Sequence, residues 1–305
     1  MKRLFVVLAF VAVVSCEHGS AVRGAGLPPN DIEIGFIEQT GRYEGTRPAY
    51  RVRVAFHHSH EGWCAHPHEF SSDAARADAW RALNKQRAWY VVFCGEKLGE
   101  LVSKATLQDW GLAHVGVQIL ASGQTVPHPE EPSYEFAGWP GGPVRRPLVL
   151  VTTPYFKDRA HWRKVDAPEA VPASVFAAFQ SAPIELWPAP DWPSKELPEY
   201  GIHDMRVFQC WRSRSGKRVI GIRFNEGVQI DNGYDYPATQ VYWFATAKDG
   251  GFRYLGADMF LLDFGDFDND GKSEVIFKVT RYNRDGYVLF WNDFGESVSF
   301  IWGYH

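Results

Sequence analysis

A short acidic stretch near the C-terminus constrains the fold more than any other part of the sequence. Asp266, Asp268 and Asp270 stand at alternate positions, Gly271 follows them, and Glu274 completes the set. Oxygen ligands at alternate positions, with a glycine where the chain must turn sharply, are typical of a Ca²⁺-binding loop. Carboxylates crowded into so short a stretch repel one another unless a cation lies between them. The sequence therefore predicts a metal-binding loop here.

The residues on either side of this loop predict strands rather than helices. Counted from Asp266, an EF-hand would carry a bidentate Glu at its twelfth position, where this chain has Phe277. The stretch that begins at Glu274 is rich in β-branched and aromatic residues, and apolar residues lead into the loop. This composition favours β-strands. We therefore expect a strand–loop–strand unit.

The loop resembles the calcium loops of FG-GAP/VCBS-type repeats, which are found in integrin-α-like β-propellers and have the pattern D-x-D-x-D-G-x-x-D/E. The resemblance implies four side-chain ligands: Asp266, Asp268, Asp270 and Glu274. It also implies a backbone carbonyl ligand from Lys272. The alternative is an Asp/Asn/Gly-rich hairpin turn without an ion. We favour Ca²⁺ because an ordinary turn needs only one or two such residues.

The N-terminus has the pattern of an export signal. Two basic residues follow Met1, and the apolar run at residues 4–14 is too short to span a bilayer as a helix. Residues 13–16, V-V-S-C, resemble a bacterial lipobox, which implies that Cys16 is lipidated and becomes the mature N-terminus. The alternative is secretion after cleavage near Ala21 or Ala25. Both predict export; lipidation adds a membrane anchor on the periplasmic or outer cell surface.

A second group of metal-binding residue types lies at residues 57–68, which hold five of the eleven histidines and one cysteine. Imidazole and thiolate are ligands that zinc or copper ions prefer. The candidate ligands are His58, His60, His66 and His68. The helical pattern H-E-x-x-H is missing from the sequence. We interpret the stretch as a polar, exposed loop between a strand and a helix, with a transition-metal site as the alternative.

The remaining cysteines are an odd number in a compartment that permits disulfides. We predict a disulfide between Cys64 and Cys94 because both fall in the same N-terminal region. Such a bond would prevent Cys64 from binding a metal. Cys210 lies in a strand-like stretch and is expected to be a buried thiol.

The expected fold class is mainly β with a few short helices. A chain of 305 residues suggests one large or two modest domains. The expected segments are a signal peptide at 1–16, a tether at 17–30, an α+β domain at 31–182, a Pro- and Trp-rich connector at 183–198 and a β domain at 199–305. The last domain carries the calcium loop on antiparallel, partly propeller-like sheets. A full propeller is not expected, because the sequence has one good calcium motif rather than a series.

Charge and motifs narrow the function classes. A formal net charge of -4 argues against a nucleic-acid partner, which would require a basic face. The adjacent Arg145 and Arg146 are expected to form part of a solvated surface. The sequence has no G-x-S-x-G and no phosphate loop. We therefore expect a non-enzymatic protein that binds Ca²⁺ and contacts a cell-envelope component or an extracellular protein or glycan. Two alternatives stay open: a metal-dependent hydrolase built on residues 57–68, and carbohydrate binding through exposed aromatic residues.

Overall fold

The fold is described for the parts of the chain that a computed structural model defines: residues 32–39, 50–67, 73–104, 117–136, 143–154, 156–184, 200–225, 240–281 and 284–303. The signal peptide, Cys16 and the tether lie outside these residues, as do His68 and most of the connector at 183–198. The described chain is mainly β, as the sequence predicts, with several antiparallel sheets and two short α-helices.

The strands and helices follow one another along the chain as a series of short elements. The strands are β1 Ile32–Gln39, β2 Tyr50–Ser59, β3 Gly62–Ala65, β4 Arg87–Phe93, β5 Glu96–Lys104, β6 Val117–Leu120, β7 Leu148–Val151, β8 Arg163–Val165, β9 Met205–Arg212, β10 Arg218–Phe224, β11 Tyr242–Thr246, β12 Phe252–Ala257, β13 Met259–Gly265, β14 Glu274–Arg281, β15 Arg284–Trp291 and β16 Glu296–Gly303. The helices are α1 Asp73–Leu83 and α2 Ala173–Ser181, and Ile202–Asp204 forms one 3-10 turn.

The first sheet is ring-like. Its strand order is β1-β7-β4-β5-β6-β2-β3, and β1 also pairs with β2. That additional pairing joins the two ends of the order, so six strands form a ring and β3 adds to β2 outside it. All pairings are antiparallel. The ring interior is filled by apolar side chains such as Val52, Trp89 and Leu150.

The other two sheets are open. A four-stranded meander has the order β13-β14-β15-β16, and a five-stranded sheet has the order β12-β11-β10-β9-β8. The four-stranded sheet is buried on both faces, because successive side chains of a strand point to opposite sides. Ile276 packs with residues of the ring, whereas its neighbours Val275 and Phe277 pack with residues of the five-stranded sheet. Helix α2 covers the remaining face of the five-stranded sheet through Val175 and Phe179.

One core contains residues from both sides of the expected connector at 183–198. Phe36 of β1 stacks on Tyr287 of β15, with ring centroids 3.5 Å apart, so residues on either side of positions 183–198 share one core. The described residues from Ile32 onward form one compact unit. The four-stranded sheet is therefore held between the ring and the five-stranded sheet, and this arrangement positions the site described below.

A buried polar cluster lies between the ring and the four-stranded sheet. Glu38 accepts hydrogen bonds from the Tyr287 hydroxyl at 2.7 Å and from Arg53 Nε at 3.1 Å. Burial alone would raise the pKa of Glu38, but the charges of Arg51 and Arg53 hold that pKa well below its usual value. Lys278 is also buried and lies over the Tyr287 ring at 5.1 Å. Because each charge has an opposite partner, the cluster is tolerated in the interior.

Three local features of the structure differ from what the sequence predicts. From a capping pattern at residues 71–73 and apolar residues at helical spacing, the sequence predicts a helix that runs to about Arg87. The helix ends at Leu83, because Arg87 begins β4 and pairs with Glu33 at 2.6 Å. Residues 57–65 are not a loop: β2 continues through Ser59 and β3 pairs back onto it. Strand β8 was not predicted from the sequence. Its three residues are mostly polar and exposed, and pairing with β9 defines it.

Candidate metal centre

The acidic loop, residues 266–274, connects β13 to β14, as the sequence predicts. Gly265 pairs with Glu274 across the hairpin, so the loop closes directly on the sheet. Asn269 has a φ of 61° and Gly271 a φ of 88°. This is the left-handed region that glycine, and less often asparagine, adopts with little strain. The loop conformation therefore follows from the residue types at its tip.

The loop is held by its own carboxylates. Both carboxylate oxygens of Asp266 accept from the Gly271 N–H, at 3.2 and 3.1 Å. Asp268 Oδ1 accepts from the Asp270 N–H at 3.0 Å, and a Glu274 oxygen accepts from the Phe267 N–H at 2.6 Å. These bonds turn the acidic side chains toward the inside of the loop. The ligand geometry is thus largely formed by the hairpin itself.

Three carboxylates converge at one point. Oxygen atoms of Asp266, Asp268 and Glu274 lie within 4.8 Å of one another. Calcium binds oxygen at about 2.3–2.6 Å, so two oxygens on one ion are at most about 5 Å apart. Asp266 and Glu274 are almost fully buried. The spacing fits a Ca²⁺ ion, which these oxygen atoms would hold.

Two predicted ligands stand apart from this group. Asp270 is not part of the converging set, and its side chain is 44% exposed. Its Oδ1 accepts from the Lys272 N–H at 2.7 Å, and the Lys272 ammonium lies 3.7 Å from Asp270 Oδ2. Asp270 and Lys272 therefore lie at the rim of the loop rather than at its centre.

The electrostatics of the loop favour a bound cation. Burial, followed by the charge of Asp268, raises the pKa of Glu274 to about 9. Burial also raises the pKa of Asp266 and of Asp268. The three carboxyls therefore resist ionisation when only protein surrounds them. A divalent cation reverses this effect because it stabilises the ionised form.

An imidazole and a guanidinium from other parts of the chain contact the loop. His58 Nε2, at the end of β2, lies 3.4 Å from Asp268 Oδ2. Arg159 Nε lies 3.3 Å from Asp266 Oδ2, and Arg159 also donates to Asn269 Oδ1 at 2.7 Å. No local pattern in the sequence predicts Arg159, because the segment before β8 reaches the loop only in the folded chain. The loop is therefore joined to the ring and to that segment.

The candidate histidine ligands do not form a site of their own in the described part of the chain. His60 is 90% exposed and lies 3.6 Å from Glu61. His66 lies 3.6 Å from Glu33 and packs against His57. His58 instead contacts the acidic loop, and His68 lies outside the described residues. Among the residues described, Asp266, Asp268 and Glu274 are the one group placed to hold a metal.

The predicted disulfide between Cys64 and Cys94 is not formed. Cys64 lies on β3 and Cys94 at the turn after β4, and three strands separate β3 from β4 in either direction around the ring. Neighbouring strands are about 4.8 Å apart, whereas a disulfide requires Cα atoms within about 7 Å. Cys210 is a buried thiol on β9, as expected.

Comparisons with known proteins return no relative. No protein-family model, curated protein or solved structure matches the chain. Within the described residues, no helix has the length and apolar character needed to cross a membrane.

Proposed function

We propose that this is an exported protein whose acidic loop binds a structural Ca²⁺ and which serves a binding or structural role at the cell envelope. The observation that carries the proposal is the convergence of Asp266, Asp268 and Glu274 within 4.8 Å. A ligand set made only of carboxylate oxygens suits a hard cation such as Ca²⁺ rather than zinc or copper. The FG-GAP/VCBS resemblance implies two further ligands, Asp270 and the carbonyl of Lys272; Asp270 would have to turn inward from the rim of the loop to bind the ion.

The position of the loop supports a structural role for the ion. The loop closes the β13–β14 hairpin, and this hairpin lies in the sheet that is buried on both faces. An ion that neutralises the carboxylates would remove the repulsion between them at the point where His58 and Arg159 make contact. Calcium would therefore stabilise the β13–β14 hairpin.

A chelation experiment tests this role. Thermal unfolding of the purified protein is followed in chelator, in excess Ca²⁺ and in excess Mg²⁺. A ligand at 100 times its Kd raises the free energy of unfolding by about 2.7 kcal/mol, which corresponds to a gain of about 4–5 °C in Tm for a chain of 305 residues. We expect Ca²⁺ to restore the Tm that chelator lowers, and Mg²⁺ to restore less of it. An unchanged Tm in chelator, with no calcium in the purified protein, contradicts the proposal.

The proposed location rests on the N-terminal sequence. Export with lipidation at Cys16 would anchor the protein to a membrane on the periplasmic or outer cell surface, where it could contact an envelope component or an extracellular protein or glycan. Expression of Cys16→Ala in a bacterial host is expected to move the protein from the membrane fraction to the soluble fraction. If the parent and Cys16→Ala associate equally with the membrane, a lipid on Cys16 is not what attaches the protein.

A hydrolase built on residues 57–68 gains no support from the geometry. His58 faces a carboxylate of the acidic loop, His60 is exposed, and His66 pairs with Glu33. Burial lowers the pKa of His66, which is consistent with a structural residue of the interior. We therefore propose a non-enzymatic role.

A further inference from the structure

A cavity of about 410 Å³ lies where the three sheets meet. It is lined from the ring by Phe93, from the five-stranded sheet by Gln209 and Trp211, and from the four-stranded sheet by Leu261. Small-molecule sites have volumes of about 300–1,000 Å³, and the cavity falls within this range. We call it the aromatic cavity. It is separate from the acidic loop, and no sequence motif marks it.

One wall of the aromatic cavity is a face of the five-stranded sheet. Lys164 on β8 is directly opposite Trp211 on β9. Trp162 and Gln209 stand two residues away from these on their respective chain segments, so all four side chains are expected on the same face. All four line the cavity. This wall therefore alternates indole rings with polar groups.

The indole of Trp162 is held in place from behind. Its ring stacks on Phe264, with centroids 4.7 Å apart and an interplanar angle of 10°. Trp162 is only half-buried, whereas Trp211 is buried. A fixed, partly accessible indole provides a flat apolar surface without further ordering when a ligand binds.

The lining also includes a largely buried guanidinium. Arg146 was expected on a solvated surface, yet its side chain is 10% exposed. It lies over the Phe93 ring at 5.0 Å and the Phe136 ring at 5.8 Å. It donates to the Leu262 carbonyl and, at 3.2 Å, to Glu130. Its Nε is shielded from solvent and has no hydrogen-bond partner among the described residues. A buried donor without a partner is uncommon in folded proteins.

The charges around the aromatic cavity leave a positive surplus. The lining has three basic residues, Arg146, Arg163 and Lys164, and two acidic residues, Glu130 and Glu135. Arg146 pairs with Glu130, which leaves two basic residues against Glu135. Glu135 accepts from Gln209 Nε2 at 3.2 Å, and burial raises its pKa. The cavity therefore favours a ligand that carries a negative group.

We propose that the aromatic cavity binds a pyranose ring that carries a carboxylate, as in a uronic acid unit. The C–H face of such a ring packs on the indole of Trp162. Its hydroxyl groups, which both donate and accept, suit the side chains of Glu135 and Gln209, and its carboxylate suits Lys164. A flat aromatic acid offers no hydroxyl groups to Glu135 and Gln209, and a site that hydrogen-bonds the hydroxyl groups of its ligand discriminates against a ligand that lacks them. The proposal does not depend on calcium binding at the acidic loop.

Calorimetric titration of the full chain tests this inference. The probes are methyl glucuronide, methyl glucoside and benzoate, each in saturating Ca²⁺ and again in chelator. We expect saturable binding of the glucuronide and at least about tenfold weaker binding of the glucoside, a ratio that equals about 1.4 kcal/mol. Lys164→Gln is expected to reduce glucuronide affinity to that of the glucoside. Trp162→Phe is expected to weaken both sugars.

The control is Lys248→Gln, which changes an exposed lysine in the turn between β11 and β12 and should leave the affinity unchanged. Lys164 is also exposed, so equal Tm values for both lysine variants would show that each remains folded. The inference is overturned if neither sugar binds saturably. It is also overturned if benzoate binds as tightly as the glucuronide, or if Lys164→Gln leaves glucuronide affinity unchanged.

Discussion

The acidic loop and the aromatic cavity collect charged side chains in opposite ways. In the loop, one short turn of backbone brings three carboxylates together, and two of them are almost fully buried. In the cavity, residues from distant parts of the chain meet, and Arg146 lies beside Glu130. Like charges raise the free energy of the folded state unless a cation joins them, whereas paired charges do not. If the loop binds Ca²⁺ as proposed, the comparison predicts that folding stability depends on the ion at the loop but not on a ligand at the cavity.

The largest expected effect follows from Glu274→Gln. Removal of a buried ligand charge should weaken Ca²⁺ binding by more than the 10–100-fold typical of changes outside the ligand shell. The metal-free variant should be at least as stable as the metal-free parent at neutral pH, because the amide avoids the free-energy cost of protonating Glu274 when the chain folds. Calcium titration and thermal unfolding measure the two effects. Glu96→Gln, at an exposed position, is the control.

The calcium affinity and the Tm of Glu274→Gln together show whether Glu274 binds the ion or only stabilises the hairpin. If Glu274 serves only the hairpin, its substitution should lower the Tm equally with and without Ca²⁺. A loss of Tm in both conditions, with unchanged calcium affinity, would place the ion elsewhere or exclude it.

Removal of Arg146 should give an intermediate effect that is independent of calcium. Arg146→Leu leaves the Leu262 carbonyl without this donor and Glu130 without its partner, which is expected to cost about 1–3 kcal/mol of unfolding free energy. Denaturant unfolding with and without Ca²⁺ should show the same loss, because independent sites contribute additively. A loss that doubles in one of the two conditions would mean that loop and cavity are energetically coupled.

The stabilisation of the protein by Ca²⁺ should depend on pH, with an effect similar to or smaller than that of Arg146→Leu. The pKa of Glu274 is raised from 4.5 to about 9 in the metal-free protein. Between these values the folded state keeps a proton that the unfolded chain has lost, so the stability of the metal-free protein falls as pH rises through this window. Calcium displaces that proton. The gain in Tm on adding Ca²⁺ should therefore be larger at about pH 8 than at about pH 5, and Glu274→Gln should reduce the difference.

The smallest expected effect belongs to Arg159→Ala. Arg159 lies 3.3 Å from Asp266 and its side chain is 61% exposed. An exposed pair contributes about 0–1 kcal/mol. Removal of this competing cation should therefore raise calcium affinity by at most about fivefold. Arg253→Ala, at an exposed position on β12, should leave the affinity unchanged. Weaker binding in Arg159→Ala would instead mean that Arg159 holds the loop in its binding shape.

Local patterns in the sequence predicted those features that local residues determine. The strands around the acidic loop follow from Phe277 and its β-branched neighbours, and three of the four predicted carboxylates converge. Asp270 does not converge, because the Lys272 N–H and ammonium draw its side chain to the rim. The positions of the carboxylates along the loop were thus predictable from the sequence. The interaction of Asp270 with Lys272, which keeps Asp270 out of the converging group, was not.

Features that depend on distant contacts were not predictable in this way. The pair Arg145-Arg146 has the pattern of a solvated surface, yet Arg146 is buried by Phe93, Phe136 and the Leu262 carbonyl. Strand β8 exists through its pairing with β9. The histidines at 57 and 58 lie on a strand because β2 continues past its apolar residues to pair with β3. Each of these features is determined by a partner remote in sequence.

Metal analysis of the purified protein tests the central claim most directly. The protein is dialysed against a mixture of Ca²⁺, Mg²⁺ and Zn²⁺ and then against metal-free buffer, and its metal content is measured by elemental analysis beside Glu274→Gln. The account predicts calcium bound at one ion per chain in the parent and none in the variant. A parent that retains zinc instead of calcium, or that retains no metal, would contradict the assignment of the acidic loop as a calcium site.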